Sequence, residues 1–395
     1  MKYVVLVGDG MADYPLEELG NKTPLQVAHT PNMDFIASNG KNGIVRTVPS
    51  GMIPGSDVAS LSILGYDPRK YYPGRGPLEA ASMGVSLHKG EVAFRCNLVT
   101  VKDGVLVDYS AGHISSEEAR ILIEYLDEKL DGGAHFYPGV SYRHLLVLKG
   151  YEDVTCVLPH EVVGYSVEEH LPKGRGAEIL RRLMRESIHF LDGHKVNVER
   201  RRRGKNPANM IWPWGQGRSP NMPPFEEKFG LRGSVIAAVD VIKGIGRCIG
   251  LRVIEVPGAT GYLDTNYEGK ADYALRSLAD RNFCFVHVEA PDEAGHSGDV
   301  RAKIKAIENF DEKVVGRVLK GLKKYEEYRI MVLPDHPTPI PVRTHTSDEV
   351  PFAIYSPNET ADDVKAFDEL SARRGSLGAI EGKELMRLFI KGEVV

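Results

Sequence analysis

Residues 286–296, Val-His-Val-Glu-Ala-Pro-Asp-Glu-Ala-Gly-His, most constrain what this chain can fold into. Phe283, Phe285, Val286 and Val288 give the approach to Pro291 the apolar character of a buried strand. Asp292 and His296 come next, four residues apart. A helical turn after Pro291 puts the anion and the imidazole on one face, aimed at a common point. A second such group ends another apolar strand, Arg329-Ile-Met-Val-Leu-Pro-Asp335-His336, with His345 nine residues on. Acid–imidazole groups at the ends of two strands point to a metal site at the edge of a sheet.

Composition narrows the partners. The 395 residues are enough for two or three domains, and 42% hydrophobic with 26% charged residues is an ordinary globular balance. A net charge of −4 gives no general attraction to nucleic acid or to anionic membranes. A small anionic substrate therefore needs local basic residues or metal ions. Cys96, Cys156, Cys248 and Cys284 are far apart, which argues against a zinc ribbon and against a disulfide-stapled secreted domain. Met1–Val7 is too short for a signal-peptide apolar region, and no run approaches a membrane span. The expectation is a cytoplasmic protein with no nucleic-acid or membrane partner.

The first strand, residues 3–7, delivers Asp9 into a glycine-flanked turn at its carboxyl end, the edge where open α/β sheets bind ligands. As a turn former Asp9 would need no further role. Thr30-Pro31 opens a helix that Asn39-Gly40 closes. Ser56 reads as the N-cap of a second helix, with Asp57 suited to the positive end of the dipole and Val58, Leu61 and Leu64 as an apolar stripe. The same geometry suits a nucleophile: free amides at a helix start cradle phosphate, and a metal ion lowers the pKa of a serine hydroxyl placed there.

From Gly84 the texture changes to shorter alternating strands near 91–101, 105–109 and 142–149, with amphipathic helices near 116–130 and 176–190. This is an α+β pattern inserted into an α/β chain. Arg200–Arg203 reads as a solvated or anion-facing surface rather than a nucleic-acid patch, because no recognised binding motif accompanies it. The α/β character then returns. Gly244-Ile-Gly246-Arg-Cys-Ile-Gly250 has its third glycine one residue late for a dinucleotide fingerprint, and no acidic residue follows at the expected distance, so NAD binding is rejected.

Asp9, Asp292, His296, Asp335, His336 and His345 supply three carboxylates and three imidazoles beside strand ends or turns. Mixed oxygen and nitrogen donors suit manganese, zinc or iron, whereas calcium would want oxygen throughout. Six ligands are too many for one catalytic ion with an open position. They suit a pair about 4 Å apart, the arrangement used in phosphoryl transfer.

These residues resemble a known family. Gly8-Asp9-Gly10-Met-Ala-Asp13, Thr30-Pro-Asn-Met-Asp34, Pro54-Gly-Ser-Asp57, Pro291-Asp-Glu-Ala-Gly-His296, Pro334-Asp-His336 and Thr344-His-Thr346 look like the alkaline phosphatase superfamily. Within it the chain is most similar, over nearly its whole length, to the archaeal-type cofactor-independent phosphoglycerate mutases.

The resemblance implies an alkaline-phosphatase-like α/β core with a mainly parallel central sheet, residues 1–85 and 226–395. A smaller α+β domain, residues 86–225, would be inserted into it, closing over and gripping the substrate. It implies an isomerase interconverting 2- and 3-phosphoglycerate, in glycolysis and gluconeogenesis, through a phosphoserine at Ser56. Two divalent ions (Mn, Zn, Co or Mg) would be held by Asp292, His296 and His345, and by Asp9, Ser56, Asp335 and His336. His113, Arg143, Arg218 and Lys270 are the candidate substrate residues, Lys270 by likeness to the family's active-site lysine and the basic groups by their fit to phosphate and carboxylate. The alternative is a metal-dependent phosphatase or phosphodiesterase using the same core; a non-catalytic metal-stabilised binding protein fits less well, since every core ligand and Ser56 are present.

Overall fold

The computed structural model describes residues 1–130, 133–150 and 153–392, and in it the continuous apolar runs become inner strands of a sheet. The chain starts with β1 (Lys2–Gly8) and β2 (Lys41–Arg46). It continues through β3 (Glu91–Lys102), β4 (Val105–Asp108), β5 (His135–Tyr137), β6 (Arg143–Lys149), β7 (Val154–Thr155), β8 (Lys173–Gly174) and β9 (Met210–Gly217). It ends with β10 (Gly233–Ile236), β11 (Arg252–Val253), β12 (Phe283–Val288), β13 (Tyr328–Leu333), β14 (Val350–Tyr355) and β15 (Gly378–Glu381).

These strands divide between two compact units, Met1–Tyr72 with Asn221–Val395, and Pro73–Pro220. The first unit is built on an eight-stranded sheet in the order β11-β10-β12-β1-β13-β14-β2-β15. All its pairings are parallel except those of β14 with its two neighbours. β1 is central: Gly8 stands opposite Val288, and Val7 opposite Leu333. The carboxyl ends of β12, β1 and β13 therefore open at one edge and release the residues after 8, 288 and 333 side by side.

On one face, Val4, Leu6, Val286, Ile330 and Val332 pack with Met33, Ala271, Ala274, Ile307 and Phe310 from the covering helices. Each fully buried Val or Leu in such a layer contributes about 1.5–3 kcal/mol, which holds the strand ends in register. The helix Pro31–Asn39 forms as expected, although no side-chain hydrogen bond from Thr30 caps it. Lys303, fully buried on the helix Val300–Asn309, bonds Asp13 at 2.7 Å and the carbonyls of Ala12 and Thr338 at 3.1 and 2.9 Å. One ammonium thus ties the turn after β1 to the segment after β13.

The second unit carries an antiparallel sheet in the order β4-β3-β6-β5, with β9 also paired to β3, and a separate β7–β8 pair. The helices Ser116–Lys129 and Ala177–Asp192 bury Leu122, Leu126, Leu180, Leu183 and Met184 against it, together with Trp212 and Trp214. The units divide at 72/73 and 220/221, against 85/86 and 225/226 in the sequence reading. At the first boundary the difference is the helix Arg75–Met83, which packs on β3 and β9. Part of the arginine run also differs from expectation. Arg200 is buried, 2.5 Å from Glu118 and 2.6 Å from the Ala111 carbonyl, while Arg201 and Arg203 pair with Asp192 and Glu199. Intra-unit pairing, not an anion, holds these three charges.

Candidate metal centre

All seven proposed metal-site residues converge in the first unit, at the edge where β1, β12 and β13 end. Asp9 is the residue after β1, and its backbone N–H donates to Val288 at 3.0 Å. Gly10 turns the chain with φ +60°; a Cβ there would lie 2.5 Å from the Thr338 hydroxyl and 2.6 Å from Asp292 Oδ1. Only glycine permits that approach. The Gly10 N–H donates to Asp335 Oδ1 at 3.1 Å, and the His336 N–H reaches the same oxygen at 2.9 Å. Two amides thereby fix Asp335 with Oδ2 turned toward the imidazoles.

Asp292 and His296 lie on the helix Ala290–Ser297, where the i, i+4 spacing brings His296 Nε2 to 3.2 Å from Asp292 Oδ2. His345 Nε2 is 3.3 Å from Asp292 Oδ1 and 2.9 Å from His296 Nε2. The other ring nitrogens face carbonyls: His296 Nδ1 is 3.0 Å from Arg343 O, and His345 Nδ1 is 3.3 Å from Pro54 O. A carbonyl only accepts, so each Nδ1 carries a hydrogen, and the two Nε2 atoms face each other and Asp292. Two imidazole nitrogens and a carboxylate converging on one point are a donor set that could hold a metal ion. Anchoring a ligand imidazole through its far N–H is how proteins orient such rings.

Ser56 is the first residue of the helix Ser56–Ile63 and not its N-cap; Gly55 takes that position. The Ser56 hydroxyl faces the centre instead, 3.4 Å from each oxygen of Asp9 and 3.2 Å from His336 Nε2. Asp57 supports the helix start, accepting from its neighbour Val58 N–H at 2.9 Å and from the Tyr72 hydroxyl at 2.8 Å.

The donors form three overlapping groups, each with ligand atoms within 4.8 Å of one another: Asp292, His296 and His345; Asp9, Asp292 and His336; Asp9, His287 and Asp335. Their electrostatics show too little positive charge for the carboxylates present. Burial, then Asp335 and Asp292, push Asp9 well above the usual carboxylate range. Burial also opposes ionisation of Asp292, but His296 and His345 outweigh it and hold Asp292 well below that range. His296 is raised to about 9, chiefly by Asp292. Oxygen and imidazole donors in overlapping sets, with one carboxylate left uncompensated, fit divalent transition-type cations.

Sequence reasoning passed over His287 and Glu289. His287 is fully buried, with Nε2 3.5 Å from Asp335 Oδ2 and 3.7 Å from Asp9 Oδ2, and Nδ1 3.5 Å from Glu289 Oε1. Burial alone would lower its pKa; Asp335 and Glu289 outweigh that and hold it at about 9. One ionisable residue inside an otherwise apolar strand and a second directly after it were the available signal.

Lys270 differs from its expected role. It is fully buried, its ammonium 2.5 Å from Glu289 and 2.8 Å from the His287 carbonyl, so it braces the end of β12 from inside and faces no open site.

The other three candidates lie in the second unit. His113 sits in an exposed turn at φ +48° with its ring edge-on to Tyr142, and the Arg143 guanidinium lies 5.6 Å from the same ring. Arg218 follows β9 and is exposed. In the same unit Arg95 and Arg75 flank Trp214 at 4.9 and 5.9 Å, with Glu79 2.9 Å from Arg95.

A family model described as 2,3-bisphosphoglycerate-independent phosphoglycerate mutase matches residues 37–197. A protein of that name from Methanothrix thermoacetophila is 57% identical over 393 residues, covering 99% of this chain and 100% of the relative. A second, from Methanothermobacter thermautotrophicus, is 56% identical, covering 99% of this chain and 97% of the relative. Among solved structures, the cofactor-independent phosphoglycerate mutase of Thermoplasma acidophilum superposes with a TM-score of 0.69 at 31% identity, over 99% of both chains. A Pyrococcus horikoshii protein does so at 0.84 and 32%, over 98% of this chain and 96% of its own.

Proposed function

The chain belongs to the family of 2,3-bisphosphoglycerate-independent phosphoglycerate mutases, and from that premise we propose that it isomerises 2- and 3-phosphoglycerate through a phosphoserine at Ser56, in a centre for two divalent cations. The observation that carries the reading is the place of the Ser56 hydroxyl, within 3.4 Å of Asp9 and 3.2 Å of His336, at the start of a helix. First-turn amides and the helix dipole favour an anion there.

Asp292, His296 and His345 are the proposed ligands of one cation, and Asp9, Ser56, Asp335 and His336 of the other. When bound, such ions supply positive charge that stabilises phosphoryl oxygens and the serine oxygen. The protein's own part is positioning. The phosphoryl group leaves one glycerate oxygen for Ser56 Oγ while the serine proton goes to the released alkoxide; the glycerate reorients without leaving, and the phosphoryl group returns to the other hydroxyl, whose proton restores Ser56. No water enters the balance, so the site must exclude it while the phosphoserine exists. His113, Arg143 and Arg218 are proposed to grip the glycerate phosphate and carboxylate. Lys270 is assigned to holding Glu289, and through it His287, in place beneath Asp9 and Asp335.

The rival reading is a phosphatase or phosphodiesterase with the same centre. Metal-loaded enzyme given 3-phosphoglycerate with enolase as coupling enzyme is expected to form product with little free phosphate. Stoichiometric phosphate release would establish the rival. Ser56→Ala is expected to abolish turnover while retaining the fold by circular dichroism and most of the bound metal; unchanged turnover would refute the phosphoserine.

A further inference from the structure

At the far end of the Ser56 helix the first unit has a second concavity, about 12 Å along the helix axis from Ser56 at 1.5 Å per residue. A cavity of ≈510 Å³ is walled by the turn after that helix, by the short helix Phe225–Phe229 and by the C-terminal helix Gly382–Lys391. Lys70, Lys228, Lys383, Arg387 and Lys391 line it, against two carboxylates. Five cations at one place are unexpected in a chain of net charge −4.

Lys383, Arg387 and Lys391 recur every four residues on one helix face. Like charges at that spacing work against the helix. One carboxylate, Asp67, is already engaged: Oδ1 accepts the Arg69 N–H at 3.0 Å, and Oδ2 lies 3.3 Å from Lys383. Among the described residues, Lys70, Lys228 and Lys391 have no carboxylate within the 4.0 Å of an ion pair. Lys228 is held in place, bonded to the Gly65 carbonyl and 4.4 Å from the centroid of the Tyr66 ring. Positive charge gathered in a concavity concentrates the field and favours an anion. The volume suits a small molecule, and the rings of Tyr71 and Phe229 in the wall offer apolar surface to a carbon skeleton.

We propose that this cavity binds a small phosphorylated metabolite at a site separate from the metal centre. The C-terminal helix packs along the Ser56 helix, so a ligand that bridges its lysines to Lys228 bears on the element that carries the nucleophile.

Lysine footprinting tests this on the metal-loaded enzyme. Amines are acylated briefly with and without glycerol 3-phosphate, and each lysine is read by mass spectrometry. Binding is expected to slow labelling of Lys70, Lys383 and Lys391 by about 2- to 10-fold, for a site half to nine-tenths filled, while Lys173 and Lys365 stay unchanged. In Arg387→Gln/Lys228→Gln the protection of Lys70 and Lys391 is expected to vanish with the metal content intact. Protection no greater than in sodium chloride of equal ionic strength, or protection that survives in the double variant, would overturn the proposal.

Discussion

Replacing Lys303 with methionine tests how the two halves of the metal centre are held together. Methionine keeps most of the stem's volume and removes the charge. In the folded protein all three ammonium hydrogens are used, on Asp13 at 2.7 Å and on the carbonyls of Ala12 and Thr338. Without them Asp13 keeps the amides of Ile340, at 3.1 Å, and of Tyr14, at 2.8 Å, but has no counter-charge.

Breaking a buried pair from one side costs about 3–5 kcal/mol. The remaining amide bonds place this case near the lower figure, about 3 kcal/mol, or roughly a hundredfold in the folding equilibrium. The assay follows from where the chromophores lie. Trp212 and Trp214 are both in the second unit, so tryptophan fluorescence follows that unit while far-UV circular dichroism follows both. Denaturant melts of Lys303→Met are expected to show an early circular-dichroism transition with the fluorescence transition less affected. Adding Asp13→Asn is expected to recover roughly 2 kcal/mol, the coupling typical of contacting residues. A loss below about 1 kcal/mol in the single variant, the size of an exposed pair, would refute the reasoning.

Three further outcomes follow from the geometry. Gly10→Ala puts a methyl group 2.5 Å from the Thr338 hydroxyl and 2.6 Å from Asp292, and is expected to weaken metal binding by about tenfold or more in calorimetric titration. Gly20→Ala, also at positive φ but with open space around it, is expected to leave metal affinity alone. In the second unit, burial and then Arg95 and Arg143 lower buried His144 to about 3, well below the ordinary histidine value of about 6.5. The unfolded chain then binds the proton that the folded one excludes, so this stability is complete above pH 6.5 and falls as pH drops toward 3. The loss is about 2 kcal/mol at pH 5, and His144→Asn is expected to flatten fluorescence-detected melts across that range. Removing metal with a chelator is expected to silence turnover, and returning it to release protons, because Asp9 is raised above the usual range without a cation; metal titrations whose heat does not vary with buffer ionisation enthalpy would contradict this.

The sequence showed the chemistry best where it is local. Asp292 and His296 share one helical turn, Asp335 and His336 are adjacent, and each pair follows an apolar strand, so period and composition sufficed. His287 and Glu289 were hidden because alternation in a strand says which residues share a face but not that the face is lined by Asp9 and Asp335 from other strands. Lys270 was a candidate substrate residue by its likeness to the family's active-site lysine; only the fold shows that Glu289 meets it in the interior. Ser56 was read as a cap from residue type, whereas the helix starts one residue earlier and frees the hydroxyl. The insert's first boundary moved because the helix 75–83 belongs with β3 and β9, partners that only the fold supplies.

The central position of β1 bears on the order in which the molecule can form. Its neighbours on either side are residues 283–288 and 328–333, so β1 is made about 275 residues before either partner and waits unpaired until they follow. Residues 73–220 face no such delay, since all strand partners of their sheet lie within them. A nascent chain stopped near residue 260 therefore holds a complete second unit attached to an unzipped first one. Holding an apolar strand open for so long exposes it to aggregation, and the loop it must close makes this the slow half of folding. The part of the protein that carries Asp9 and Ser56 is the last to be finished.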